Sequence, residues 1–192
     1  MRNVIIWIVA VIAAACGPSG KQIAMAKQAR YQGDKLVLFN AMKTATADKY
    51  QLEMSDETQL GLRTVGRWYT PEGLAASERQ GDMRDVPDNS LNILFVVKLL
   101  PEGQSWVVSI DPKMLRYHAG RPNPDVVAQN DPSVPGWATG KVDQLYSAIH
   151  DALKQYEVKG VGGIAPPPAP EPAPAAPPPA APAPEPAPTA PQ

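Results

Sequence analysis

Few side chains in this 192-residue chain are placed to do chemistry: one cysteine, two histidines and some neighbouring carboxylates. Cys16 closes an apolar run and is followed by Gly17-Pro18-Ser19-Gly20. A thiolate is a strong nucleophile, and a lone one cannot form a disulfide within its own chain. His118 and His150 lie far apart in sequence, whereas metal sites draw several His, Cys, Asp or Glu ligands together at matched spacing. His150 sits at the margin of an apolar helical arc, with Tyr146 and Lys154 one turn away, and reads as a half-buried structural histidine. No Gly-x-Ser-x-Gly or Ser-x-x-Lys occurs to supply an activated serine, and Asp56-Glu57 falls in a turn where acids are solvated. Gly160, Gly162 and Gly163 follow a helix instead of opening one, so they form no phosphate loop. The expectation is a non-catalytic chain with no metal and no cofactor.

The segment before Cys16 accounts for the thiol. Arg2 is followed by an apolar stretch from Val4 to Ala15. A short basic region, a 7–15-residue apolar core and small residues form an export signal. At 1.5 Å per residue the stretch reaches only about 18 Å, against a hydrocarbon core of roughly 30 Å. Ala13-Ala14-Ala15-Cys16 resembles the lipobox of bacterial lipoproteins, in which small residues precede a cysteine that becomes the lipid-bearing N-terminus. Ala13 stands where that pattern prefers leucine. The resemblance implies removal of residues 1–15, lipidation of Cys16 and a membrane as partner through the lipid anchor. Gly17, where inner-membrane retention favours aspartate, implies the outer membrane, with the protein facing the periplasm.

Composition bounds the rest. Eighteen basic and nineteen acidic residues give a net charge of −1. No basic excess points to nucleic acid, and the charges read as an ordinary solvated surface. From Ala165 to Gln192 the chain holds only Ala, Pro, two Glu, one Thr and one Gln. Proline fixes φ and lacks an N–H, so such a segment favours extended polyproline II and is expected to be disordered. At about 3.1 Å per residue it would reach roughly 85 Å, either as a semi-rigid spacer or ligand reaching across the periplasm or into the cell wall or as a tolerated, disordered extension. Residues 16–20 read as anchor and linker, 21–159 as one folded domain, and 160–192 as a glycine hinge and Pro/Ala-rich arm.

The domain reads as α+β. Lys21–Tyr31 and Lys35–Ala47 have helical composition, broken at Gly33-Asp34, with Asp34 as N-cap and Leu36, Phe39, Met42 and Ala45 as the buried stripe. Residues 50–54 and 59–69 alternate like a hairpin with one wet face. Residues 90–100 form the most apolar strand, with Leu91, Ile93, Phe95, Val97 and Leu99 on one face. Trp106, Val108 and Ile110 point inward on the return. The expected result is a four-stranded antiparallel meander, packed by N-terminal and C-terminal helices. The last helix is expected over residues 141–158, its apolar arc formed by Val142, Leu145, Tyr146, Ile149, Leu153 and Tyr156.

The helix ending near Ala47, the stretch from Tyr50 to Met54 and the strand "GLRTVGRWY" give a layout similar to helix-grip modules in accessory lipoproteins of outer-membrane assembly. The whole chain also resembles Pro/Ala-tailed lipoproteins of proteobacteria. Two long connections, residues 70–89 and 112–140, are the candidate functional loops. Tyr117, His118 and Arg121 in the second suit a protein contact. Trp137 and Trp68-Tyr69 read as packing residues. The expected role is a lipid-anchored binding or scaffolding module, with an envelope protein or the cell wall as partner. The alternative is a small hydrolase or ligand-binding enzyme with a site beneath the two loops.

Overall fold

A computed structural model of the chain describes residues 18–76 and 86–158. Cys16 and the Pro/Ala-rich arm lie outside the described residues. Among the described residues the fold is α+β: three α-helices and a six-stranded sheet whose neighbouring strands are all antiparallel.

Helix α1 spans Gly20–Gln28. Ser19 Oγ accepts from Gln22 N at 3.3 Å, and Gln22 Oε1 accepts from Ser19 N at 2.8 Å. This capping box satisfies two N–H groups that the first turn would leave open. Only Ala26 of α1 is buried. Helix α2 spans Lys35–Ala47, with Asp34 as its N-cap; the carboxylate accepts from Leu36 N at 2.8 Å and Val37 N at 3.1 Å. Its buried face is Leu38, Phe39, Met42, Ala45 and Thr46. Leu36 is a correction: it is 42% exposed. A row taken strictly every third residue drifts around a 3.6-residue helix, and the true face includes Leu38.

The strands are β1 (Leu52–Asp56), β2 (Gly61–Thr64), β3 (Arg67–Tyr69), β4 (Leu91–Glu102), β5 (Ser105–Arg116) and β6 (Asp125–Val127). The sheet order is β1-β2-β4-β5-β6, with β3 beside β4. The four expected strands become six for two reasons. First, residues 59–69 do not form one strand: the ladder on β4 breaks between Thr64 and Arg67. There Phe95 N donates to the buried Thr64 hydroxyl at 2.9 Å, and a Cβ on Gly66 would collide with the Asn92 side chain. Second, residues 125–127, expected in a loop, pair with Met114, Leu115 and Arg116.

β5 also runs further than expected and takes residues 112–116 out of the second long loop. Pro112 sits opposite Phe95. Trp106 N and Ile110 N donate away from β4, to Tyr31 O and the Tyr146 hydroxyl. Pro112 shares their parity, so its missing N–H falls on the side where β4 needs no donor.

Helix α3 spans Gly136–Leu153, beginning earlier than expected, and a 3₁₀ turn, Lys154–Tyr156, follows it. Its buried residues are Ala138, Val142, Leu145, Ile149 and Leu153. They close with Leu38, Phe39 and Met42 of α2 over Leu91, Ile93, Phe95, Val97 and Leu99 of β4, forming one core. The opposite face of the sheet carries Asn92, Leu94, Val96 and Lys98, half-buried to exposed. Between α1 and α2, Tyr31 acts as a one-residue strand. It exchanges hydrogen bonds with Trp106 at 2.9 and 2.8 Å, and its neighbours Arg30 and Gln32 bond to Val158 and Tyr156.

Candidate functional site

The loop holding Tyr117, His118 and Arg121 is shaped by the ends of β4 and β5. Tyr117 N donates to Ser90 O, and Asn89 N donates to Tyr117 O, each at 2.9 Å. Asn89 adopts a left-handed φ of 62°, which asparagine tolerates better than most residues. Ala119 N donates to Asp88 Oδ1 at 2.8 Å. His118 lies between two carboxylates, with Nε2 at 3.3 Å from Asp125 Oδ2 and Nδ1 at 3.9 Å from Asp88 Oδ1. Arg121 Nη1 donates to the same Asp125 oxygen at 2.8 Å.

Of the three residues expected to form a contact, the structure therefore brings two together. His118 and Arg121 meet on Asp125. Tyr117 instead meets Trp68 edge-on, with ring centroids 6.2 Å apart at 79°. The corner offers two carboxylates, an imidazole and a guanidinium near water, and Arg121 is 61% exposed. It can make charge-assisted hydrogen bonds to a partner, while each internal exposed pair stabilises the fold by no more than about 1 kcal/mol. Sequence reasoning missed Asp88 and Asp125. They come from different elements, and the available signal was turn chemistry, with Pro87-Asp88-Asn89-Ser90 opening β4.

A second cluster fastens the start of the first long loop. Trp137, in the first turn of α3, donates its indole N–H to Pro71 O at 2.8 Å, and its ring lies 5.6 Å from that of Tyr69. Gly73 has φ of 86°, and a Cβ there would stand 2.8 Å from the Trp137 ring. Lys141 Nζ sits 4.3 Å from the Tyr69 ring centroid. Burial, reinforced by Arg67, lowers the Lys141 ammonium from the ordinary lysine value, and burial raises the Tyr69 phenol.

His150 is half-buried, and its Nδ1 lies 3.1 Å from the Tyr31 hydroxyl. Burial, aided by Glu157 and Asp151, raises the Tyr31 phenol well above the usual range. Tyr31 therefore keeps its proton, and its hydroxyl shares a hydrogen bond with the imidazole, whose direction follows the His150 tautomer. Among the described residues no three His, Cys, Asp or Glu side chains are grouped to hold a metal ion.

The described residues also form concavities. One, of about 80 Å³, lies between α1, α3 and β5 and is lined by Lys27, Pro112, Met114, Gln129, Val134 and Val142, among others. Another, of about 370 Å³, is an open groove between α2 and α3 lined mainly by Ala41, Ala45, Ala148 and Ala152, with Asp48 and Lys49 at its polar end. The first is smaller than the several hundred Å³ typical of ligand pockets. Neither is lined by a histidine, a serine or a tyrosine. No protein-family model matches the chain, and no curated protein sequence matches it. Among the described residues no helix is long and apolar enough to cross a membrane.

The expected loop at residues 112–140 is corrected by these placements. Its first five residues belong to β5, residues 125–127 form β6, and residues 136–140 open α3. What remains irregular is residues 117–124 and 128–135, each short enough for an ordinary connection.

Proposed function

We propose that the protein is a lipid-anchored envelope protein whose α+β domain serves as a non-catalytic binding or scaffolding module facing the periplasm. Cys16 carries the lipid, the domain is held at the outer-membrane surface, and the Pro/Ala-rich arm gives reach toward an envelope protein or the cell wall. The observation that carries this reading is the leader: an apolar run ending in Ala13-Ala14-Ala15 immediately before the chain's only cysteine. Stable anchoring takes at least two acyl chains, which a lipidated N-terminal cysteine supplies.

The positions at which the chain enters and leaves the domain support the same reading. The leader enters at Ser19, the first end of α1. The arm leaves after Val158, whose N–H donates to Arg30 O just past the other end of α1. Between them lies α1, nine residues and about 13 Å long. The described chain thus begins beside one end of α1 and ends, at Val158, beside the other. Tethering of this kind raises the effective concentration of a weakly bound partner without adding contacts.

Mass spectrometry of the envelope-derived protein tests the anchor. The expected product begins at Cys16 with added diacylglyceryl and acyl mass; a retained leader or a bare thiol overturns the reading. Crosslinking in cells followed by pull-down tests the binding role. An envelope protein or cell-wall fragment should be recovered with the full chain and reduced on deletion of residues 160–192.

A further inference from the structure

Among the described residues, the outer stripe of α1 is exposed to solvent. Ala26 is turned inward, and Ile23 is half-buried. The helical repeat then sets Lys21, Met25 and Gln28 in one row on the opposite side, with Ala24 beside it. All four are exposed, and Met25 is 50% exposed. The helix contains two lysines and no acid. Lys27, on its flank, pairs with Asp143 of α3 at 2.6 Å, so with Ala26 buried the row faces outward while α1 is docked.

The chain before α1 determines what that row meets. The capping box keeps the backbone helical back to Gly20, and only Gly17 and Pro18 separate Cys16 from the Ser19 cap. Three residues of extended chain span at most about 10 Å. A lipid-bearing Cys16 therefore holds the first turn of α1 within about the thickness of the headgroup layer. A domain tethered so closely must present to the bilayer the surface around the tether.

We infer that the Lys21–Met25–Gln28 row of α1 rests on the membrane, with Met25 in the interfacial region and Lys21 against anionic headgroups. The inference builds on the anchored reading and adds an orientation to it. Met25 is the one large apolar side chain α1 exposes, and a lysine close to the tether is drawn to anionic headgroups. In the sheet, β1 is separated by β2 and β4 from β5, the strand that lines a concavity with α1.

Met25 and Met54 make a matched pair for the test, because they are 50% and 55% exposed and neither belongs to the core. Cys16 is the chain's only cysteine. In the mature lipidated chain, Met25→Cys or Met54→Cys therefore provides a single reactive thiol for a fluorophore. Each labelled full-length protein is reconstituted in vesicles of phosphatidylethanolamine and phosphatidylglycerol containing a headgroup-nitroxide lipid. The expected result is several-fold stronger quenching at position 25 than at position 54, reduced when a Lys21→Glu change is added. Co-sedimentation with equal quenching at both positions overturns the orientation alone. Failure of the lipid-processed protein to co-sediment overturns the anchor and the orientation together.

Discussion

Helices α1 and α2 look alike as sequence and behave differently as structure. Both are short, rich in Ala, Lys, Gln or Met, and start at a side-chain cap. Yet α2 buries five residues and α1 buries one. Intrinsic propensity and capping explain why each forms; they do not explain how firmly it is held. That depends on Leu38, Phe39 and Met42, which are fully buried against α3 and β4, whereas α1 rests on Ala26 and the Lys27–Asp143 pair. A helix with little buried surface opens locally at low cost. Its exposed side remains free for another surface.

The sharpest way to break this contrast is to hollow out α2. Phe39→Ala removes a ring with no solvent exposure and should cost about 3–5 kcal/mol of unfolding free energy by denaturant titration. A comparable truncation on α1, Met25→Ala, should shift the midpoint hardly at all in the unlipidated domain. If the two changes cost the same, the contrast is wrong.

Alkaline unfolding is the next effect in size. Tyr50 packs on Phe95 with ring centroids 4.7 Å apart, and burial, chiefly, raises its phenol from the ordinary value of 10.0 to about 12. A raised phenol favours the folded state while protonated. The contribution is therefore complete below about pH 10 and is lost as pH rises toward and through about 12. Tyr50→Phe should flatten part of that loss in a stability–pH profile, leaving the share due to Tyr31. An unchanged profile would show that the phenol is accessible to water.

Caps give smaller effects and separate the two helices cleanly. Asp34→Ala should cost about 1 kcal/mol of global stability, because α2 is part of the cooperative core. Ser19→Ala should cost only a few tenths in the same measurement, yet speed amide exchange throughout α1, because α1 opens on its own. Equal global costs would place α1 in the same cooperative unit as α2.

Much of the core was legible in the sequence, because burial there follows a simple period. Leu91, Ile93, Phe95, Val97 and Leu99 alternate without interruption, and all five are buried. The Lys35–Ala47 boundaries follow from Asp34 and from the loss of helical pattern after Ala47. The misses fall where local chemistry and tertiary pairing disagree. Pro112 reads as a loop residue until its missing donor is found to face away from β4. Gly136 and Gly140 make the first turn of α3 look irregular, but Trp137 and Ala138 are held there by Tyr69 and the core. Thr64 ends β2 by lending its hydroxyl to Phe95, a substitution that no periodicity displays. The polar corner was half legible: His118 and Arg121 are close in sequence, but the carboxylates that orient them arrive from β6 and from the turn before β4.

Tyr31 and its neighbours also determine what happens when the two chain ends are drawn apart. Arg30 bonds to Val158 and Gln32 to Tyr156 in antiparallel pairing, so a pull on Ser19 and Val158 grips the same end of this pair. Such a pair opens one bond at a time, like a zipper, instead of resisting in shear. Under the tethering proposed above, tension between the bilayer and a captured structure would thus strip the last residues after α3 from the Arg30 strand first. The long β4–β5 ladder would carry little of that load, and slack could be paid out without unfolding the core.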